Sequence, residues 1–201
     1  MSLEIWFEFA STYSYFTVSR AEALLNAKNV AFHWKPFLLG PIFRDKGWDT
    51  SPFILDEVKG AYMWRDMERR AARYGLPFVR PSIWPMNPIR AARVMTAALN
   101  TPWSGAFARA VFAAQYERGE DISSEAVLRE VIRACGEDPD HWLTLAQSEA
   151  CKTQLRVHTE QARDHGIFGA PSFMVADELF WGDDRLEDAI AWALAPDNPQ
   201  P

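Results

Sequence analysis

The amino-acid sequence predicts an α/β protein whose single sheet is built from both ends of the chain. Three observations support this: a strand-helix-strand unit at the start, a long middle segment with helical periodicity, and a strand-strand-helix unit at the end. This order implies that the two end units assemble one sheet and that the helices between them form a lobe on it.

The first unit begins with an alternating pattern. Residues 3–9 alternate apolar positions with Glu4, Trp6 and Glu8, which is typical of a strand with one apolar face. Apolar residues then recur at three- and four-residue spacing over residues 14–28, as on one face of a helix. Residues 30–37 indicate a second strand. A strand, a crossover helix and a second strand favour parallel pairing.

The middle of the chain contains no convincing strand pattern. Its helical periodicity predicts helices over residues 53–75, 87–101, 103–118, 123–135 and 139–165. Asn87 and Pro88 are typical of a helix start, with an N-cap residue followed by proline at the first helical position. Gly75 and Gly136 stand where helices are expected to stop.

Strand patterns return near the end of the chain. Residues 172–176 and 178–181 predict a tight hairpin around Asp177, followed by a helix over 184–194 and a frayed tail at 196–201. We therefore predict two domains. Residues 1–52 and 166–201 form a discontinuous sheet domain, and residues 53–165 form an all-helical insertion domain.

Composition excludes several classes of protein. The 201 residues are 48% hydrophobic and 24% charged, which argues against disorder, and a net charge of −6 argues against nucleic-acid or anionic-membrane binding. No apolar run is long enough to span a membrane, and the start of the chain lacks the basic residues of a leader. Cys135 and Cys151 have neither metal-binding nor C-x-x-C spacing, and the four histidines form no metal-spaced cluster. We expect a metal-free protein of the cytoplasm.

The charge is unevenly distributed along the chain. From Lys59 to Arg93 there are eight basic and two acidic residues. Solvated helix faces account for much of this excess, because the acidic residues fall at helical pairing distance from several arginines. A positive lobe would also attract a substrate that carries a carboxylate.

Ser11 stands at the junction of the first strand and the first helix, in the segment Ser11-Thr12-Tyr13-Ser14. The simplest interpretation is an N-cap whose oxygen accepts a hydrogen bond from the first helical turn. The position can also support chemistry, because the unpaired amides and the dipole of a helix N-terminus stabilise an anion, including a thiolate.

A second segment of interest is Gly169-Ala170-Pro171-Ser172, directly before the returning strand. Pro171 could be a trans-proline that merely opens the strand. In a chain with this order of elements, the alternative is a cis-proline turn that faces the start of the first helix.

Five separated segments together resemble a known family. They are FASTYSY at 9–15, WKPFLLG at 34–40, KGAYM at 59–63, GAPSF at 169–173 and FWGDDRL at 180–186. The chain resembles the DsbA-like thioredoxin superfamily, and within it the branch of kappa-class glutathione transferases and 2-hydroxychromene-2-carboxylate isomerases. The resemblance covers residues 3–194. It implies a thioredoxin fold, βαβ…ββα, with a large all-helical insertion.

The chain departs from the redox members of this superfamily at the active-site turn. Where a disulfide oxidoreductase has C-x-x-C, this chain has Ser11 and Ser14, which cannot cycle between thiol and disulfide. The resemblance implies that the thiol comes instead from bound glutathione.

The resemblance also implies which residues hold glutathione. Ser11 would be the catalytic residue that keeps the sulfur as a thiolate, and Ala170, before cis-Pro171, would pair its backbone with the cysteinyl unit. Asp183 and Asp184 would bind the γ-glutamyl end, although a capped helix, with Glu187 at capping-box spacing, explains them equally well on spacing alone. Lys59 would approach the glycyl carboxylate. A family asparagine has no clear counterpart in residues 47–52.

Three functions remain open from the sequence. The leading hypothesis is a glutathione-dependent cis-trans isomerase that acts on a small aromatic carboxylate from aromatic degradation, like 2-hydroxychromene-2-carboxylate. The second is a kappa-like transferase that releases glutathione conjugates, and the third is a non-catalytic thioredoxin-like binding module. The resemblance further implies a homodimer.

Overall fold

Both ends of the chain contribute to one four-stranded sheet. The structure is a computed structural model that describes residues 1–195, so the tail predicted at 196–201 lies outside the described residues. The strands are β1 (Leu3–Phe7), β2 (Phe32–Pro36), β3 (Ser172–Val175) and β4 (Glu178–Trp181), in the order β2-β1-β3-β4. β1 pairs with β2 in parallel, and β3 is antiparallel to both β1 and β4. The predicted α/β class, with a sheet made from both ends, is confirmed.

Helices fill the sequence between the strands. They are α1 (Thr12–Ala27), α2 (Leu39–Asp45), α3 (Pro52–Leu55), α4 (Glu57–Tyr74), α5 (Ile89–Ala98), α6 (Ser104–Tyr116), α7 (Glu125–Ala134), α8 (Pro139–Ala146), α9 (Glu149–Asp164) and α10 (Leu186–Leu194). A 3-10 turn over Asp183–Arg185 precedes α10.

Local capping explains where the observed helices differ from the predicted ones. The helix predicted over 139–165 is two helices, because Ser148 caps α9 by accepting a hydrogen bond from the amide of Cys151 at 3.2 Å. The helix predicted over 53–75 is likewise divided by Asp56, which caps α4 through the amide of Lys59 at 3.0 Å. Gly75 ends α4 with a φ of 65°, as predicted.

The start of α5 lies slightly later than predicted. Asn87 accepts a hydrogen bond from the amide of Ile89 at 3.0 Å, but it lies one residue before the N-cap position. Pro88 occupies the N-cap instead of the first helical position, and the helix has no side-chain cap.

Helices cover both faces of the sheet. Leu3, Ile5 and Phe7 point into the main core, which they share with α1, α6 and α10. The opposite face is also buried: Trp6 is fully inaccessible and packs with residues of α2 and α9. The alternation in residues 3–9 predicts one apolar face, and the second face becomes buried because these two helices close over it.

The main core continues from the sheet into the helical segment. Phe9 lies 5.3 Å from Phe7 and 5.2 Å from Phe112 between ring centroids, so β1 and α6 share one aromatic cluster. The division into domains at 52/53 and 165/166 stays a prediction. Within residues 1–195, no helix combines the length and the apolar character needed to cross a bilayer.

Candidate active site

A cavity of about 750 Å³ lies where β1 ends and α1 begins. Five of the six sequence-predicted site residues line it: Ser11, Lys59, Ala170, Asp183 and Asp184. The sixth, Pro171, follows Ala170 directly. The fold therefore brings together residues that are up to 173 positions apart in the sequence.

Ser11 is the N-cap of α1, as predicted. Its Oγ accepts a hydrogen bond from the amide of Ser14 at 3.3 Å and donates one to the carbonyl of Ala170 at 2.8 Å. Ser11 is 9% exposed and borders the cavity, whereas Ser14 is fully buried and does not border it. Only the first serine of the pair can therefore meet a ligand.

The loop before β3 is held against the end of β4. The Ala170–Pro171 peptide bond is cis, which confirms the predicted turn. The carbonyl of Pro171 accepts a hydrogen bond from the amide of Gly182 at 3.0 Å, and Ser172 Oγ donates to the carbonyl of Gly169 at 2.9 Å. Since β3 starts only at Ser172, the backbone of Ala170 lies outside the strand ladder and faces the start of α1.

The buried carboxylate of Asp183 accepts hydrogen bonds from several polar side chains. Its Oδ2 accepts hydrogen bonds from Arg70 Nη1 at 2.7 Å and from the hydroxyl of Tyr74 at 3.0 Å. Its Oδ1 lies 3.3 Å from Arg20 Nη1 and 3.4 Å from Thr17 Oγ1. Burial raises the pKa of Asp183, and the two arginines oppose that rise. These four donors use most of the acceptor capacity of the carboxylate.

Asp184, unlike the buried Asp183, is accessible to a ligand. Its side chain is 51% exposed at the cavity edge and lies 3.8 Å from Arg70 Nη2. The capping-box interpretation of Asp184 and Glu187 is wrong: the 3-10 turn displaces the start of α10 to Leu186, and neither the turn nor α10 has a side-chain cap. Glu187 pairs instead with Arg20.

Lys59 lies in the first turn of α4, exposed at the cavity edge. Among the described residues its ammonium group has no ion-pair partner. It is therefore available to a carboxylate.

Glu8 is a cavity residue that sequence reasoning missed. It follows β1 directly, is only 6% exposed, and accepts a hydrogen bond from the amide of Leu39 at 2.9 Å. Burial raises the pKa of Glu8 to about 7, although the Leu39 amide acts in the opposite direction. The only sequence signal was an acidic residue inside an otherwise apolar strand end.

Aromatic rings form one wall of the cavity. Phe53 lies 6.3 Å from Tyr13 and 6.5 Å from Trp84 between ring centroids, and Trp84 is fixed by a 3.2 Å hydrogen bond from Nε1 to the carbonyl of Ala10. From the 47–52 loop, Trp48 and Asp49 also border the cavity. A planar aromatic ligand would fit against these rings.

The two cysteines lie outside the cavity. Burial raises the pKa of both Cys135 and Cys151, and Cys151 Sγ donates a hydrogen bond to the carbonyl of Arg93 at 3.1 Å. Both thiols are therefore poor nucleophiles.

Comparisons with known proteins find relatives that match nearly the whole chain. The 2-hydroxychromene-2-carboxylate isomerase of Sphingobium xenophagum is 27% identical over 96% of this chain and 98% of that protein. Glutathione s-transferase kappa 2 of Caenorhabditis elegans is 24% identical over 96% of this chain and 92% of that protein. A solved structure of a 2-hydroxychromene-2-carboxylate isomerase has a TM-score of 0.85 at 26% identity, covering 96% of this chain and 95% of that one.

These relatives are isomerases and transferases of the branch that the five sequence motifs predicted. The family model for the DSBA-like thioredoxin domain matches residues 2–191, nearly the whole chain. The chain therefore belongs to the DSBA-like thioredoxin domain family.

Proposed function

We propose that this protein is a glutathione-dependent cis-trans isomerase of an aromatic-degradation intermediate, similar to 2-hydroxychromene-2-carboxylate isomerase. The observation that carries the proposal is Ser11: its hydroxyl lies at the N-terminus of α1, borders a large cavity and faces the Ala170 backbone at 2.8 Å. The isomerases among the relatives support the same chemistry.

The residues that line the cavity fit glutathione. Its thiol requires a donor at a positive helix end, which Ser11 and α1 supply. Its cysteinyl backbone requires a main-chain partner outside the strand ladder, which Ala170 before cis-Pro171 would supply. Its γ-glutamyl ammonium requires an accessible carboxylate, Asp184, and its γ-glutamyl carboxylate can meet the amides of Asp183 and Asp184. Its glycyl carboxylate requires an accessible cation, for which Lys59 is the candidate.

Glutathione would supply a thiolate that adds reversibly to a carbon–carbon double bond and so allows rotation about it. The chain would hold and polarise that sulfur. Ser11 Oγ already accepts a hydrogen bond from the Ser14 amide, so its proton can be turned from the Ala170 carbonyl towards the sulfur. Such a donor lowers the thiol pKa, because it stabilises the charged form.

The aromatic wall gives the substrate its orientation. Tyr13, Phe53 and Trp84 form an apolar surface beside Ser11, and the excess of basic residues between Lys59 and Arg93 favours a ligand that carries a carboxylate. A small aromatic carboxylate satisfies both conditions.

The test is an isomerisation assay on 2-hydroxychromene-2-carboxylate with and without glutathione. We expect a spectral change that requires catalytic amounts of glutathione, with the glutathione concentration unchanged at the end. An unchanged spectrum under both conditions would refute the proposal.

A kappa-like transferase is the second candidate, and the Caenorhabditis elegans relatives favour it. A transferase would consume glutathione stoichiometrically with an electrophile such as a chloronitrobenzene, whereas an isomerase consumes none. If calorimetry detected no glutathione binding, the non-catalytic binding module would become the leading interpretation.

We further propose a homodimer in the cytoplasm. The family resemblance supports the dimer, as does an apolar stripe in the sequence of α3 and α4: Ile54, Val58 and Tyr62 recur at four-residue spacing, and each is exposed. The two unpaired cysteines and the need for reduced glutathione support a reducing compartment.

A further inference from the structure

Arg70 connects the carboxylates at one end of the cavity. Its Nη1 donates to Asp183 at 2.7 Å, its Nε donates to Asp66 at 3.0 Å, and its Nη2 lies 3.8 Å from Asp184. Arg70 itself lines the cavity, and its side chain is 23% exposed. A planar guanidinium can hold three acceptors in fixed directions, which a lysine ammonium on a flexible stem cannot do.

The same network reaches the start of α1. The hydroxyl of Tyr13 donates to the Asp66 oxygen that also accepts from Arg70, at 3.0 Å. The guanidinium of Arg70 lies 5.4 Å from the centre of the Tyr13 ring. Tyr13 lies two residues after Ser11, so one side chain on α4 links the Asp184 edge of the cavity to the helix end that holds Ser11.

The network contains two arginines and four carboxylates, so negative charge is in excess at this end of the cavity. Arg70 is countered by the half-buried Asp66 and the buried Asp183, and Arg20 is countered by Asp183 and Glu187. Asp184 is held only by the longer 3.8 Å contact and remains 51% exposed. At this distance Arg70 attracts the Asp184 carboxylate without a direct hydrogen bond, so the acceptor positions of Asp184 stay open to a ligand cation.

We propose that Arg70 is a positioning residue for glutathione, which orients Asp184 for the γ-glutamyl ammonium and fixes Tyr13 beside the sulfur site. This inference rests on the proposed function. It gives α4 a second residue that affects glutathione affinity, in addition to Lys59.

Arg20 is a matched control for Arg70. It binds the same buried carboxylate, Asp183, at 3.3 Å, and its guanidinium stacks at 3.8 Å on the ring of Tyr74. Arg20 contacts neither Asp184 nor Tyr13, and it does not line the cavity. Arg20→Gln thus removes one partner of the buried Asp183 carboxylate, while Asp184 and Tyr13 keep their contacts with Arg70.

The experiment compares glutathione binding by calorimetry in wild type, Arg70→Gln, Arg70→Lys and Arg20→Gln, with melting curves for each protein. We expect Arg70→Gln to raise the Kd for glutathione about tenfold, the effect of losing one oriented charged contact. The kcat of isomerisation at saturating glutathione should change less than about twofold, because Ser11 is intact. Arg20→Gln should lower the melting temperature and leave the Kd within about twofold of wild type.

Equal weakening of glutathione binding by Arg20→Gln and Arg70→Gln would overturn the inference, because it would indicate a purely structural role. So would an unchanged Kd in Arg70→Gln. If Arg70→Gln does not fold, Arg70→Lys decides: we expect a Kd raised about threefold or more, and an unchanged Kd overturns the inference. Absence of glutathione binding by the wild type would instead refute the proposed function.

Discussion

Ser11 makes two hydrogen bonds through one hydroxyl, and separate measurements on one variant distinguish its effects on activity and on stability. Ser11→Ala removes the hydroxyl that we propose as the donor to the glutathione sulfur, and it also removes the N-cap of α1. We expect kcat/KM for isomerisation to fall about a hundredfold, the usual effect of losing one donor to a developing anion. The free energy of unfolding should fall by about 1 kcal/mol from the lost cap. Steady-state kinetics and denaturant titration measure the two effects.

Ser14→Ala is the control for this variant. Ser14 is fully buried, and in the described part of the chain its Oγ has no hydrogen-bond partner, while the amide that contacts Ser11 is retained in alanine. Kinetics close to wild type are expected. A Ser11→Ala protein that keeps full activity would remove Ser11 from the candidate site.

Glu8 should make stability depend on pH. Burial raises its pKa to about 7 in the folded protein from the ordinary glutamate value of 4.5, so the folded state binds more protons than the unfolded state between these pH values. Protonated Glu8 therefore makes its full contribution to the free energy of unfolding below pH 4.5. This contribution decreases as the pH rises to about 7, by about 3 kcal/mol at most.

Glu8→Gln should abolish this dependence. Glutamine keeps an oxygen that can accept the Leu39 amide proton but does not ionise. Urea unfolding at a series of pH values from 4.5 to 8 measures the difference between the variant and wild type. Parallel curves for the two proteins would show that Glu8 is not the titrating group.

The site residues differ in how well the sequence could predict them. Ser11, Ala170 and Asp184 lie in short motifs at element ends, and the resemblance of these motifs to a known family, not their spacing, is what indicates ligand binding. The burial of Glu8 depends on neighbours such as Leu39, which are distant in sequence. Arg70 has the sequence context of a solvated helix arginine, and its spacing predicts only the pair with Asp66. The contact with Asp183 depends on tertiary packing.

At the level of elements, α3 and α4 approach closely at Gly60. A Cβ at this position would overlap the backbone carbonyl of Phe53. Alanine normally stabilises a helix relative to glycine by about 1 kcal/mol. Here we expect Gly60→Ala to lower the free energy of unfolding by about 1–3 kcal/mol, since backbone must shift to relieve the overlap. Because Phe53 lines the cavity, the KM for the aromatic substrate should also rise.

Gly40→Ala provides the control for stability. Gly40 is also helical, in α2, and a Cβ there would meet only the end of the Arg44 side chain at 3.8 Å. This variant should be as stable as wild type or more stable. Chemical denaturation measures the free energy of unfolding of both variants. A stabilised Gly60→Ala protein would contradict the close contact between α3 and α4.

The order of the elements could be predicted because periodicity and glycine or proline signals are local. The break between α8 and α9 could not, because the apolar pattern continues through it and one serine cap makes the difference. α2 was also missed. Its sequence contains Gly40 and Pro41, which indicate a loop, yet Leu39 and Ile42 are buried on the second face of the sheet and a proline is tolerated in a first helical turn.

At the scale of the whole molecule, the proposed homodimer can be tested at the apolar stripe. Val58 is 82% exposed, the highest value among the exposed large hydrophobic residues in the part of the chain that the structure describes. We expect sedimentation to give twice the 22.9 kDa mass of one chain, and Val58→Asp to weaken association more than tenfold by placing a charge in an apolar contact.

Val157→Asp is a suitable control. Val157 is also an exposed valine, at 40%, but it lies on α9, whereas the stripe lies on α3 and α4. It should sediment as wild type does. A single-chain mass for wild type at all concentrations would exclude the dimer, and a Val58→Asp dimer of normal strength would locate the interface elsewhere.

The absence of a cysteine from the active-site turn affects how such an enzyme responds to oxidative stress. Both thiols of the chain are shielded and have raised pKa values, so an oxidant would react first with glutathione in solution. Under the proposed function, catalysis would slow as reduced glutathione is depleted and would recover as soon as the pool is restored. The protein itself would need no repair, and its rate would follow the redox state of the cell without a redox-active group of its own.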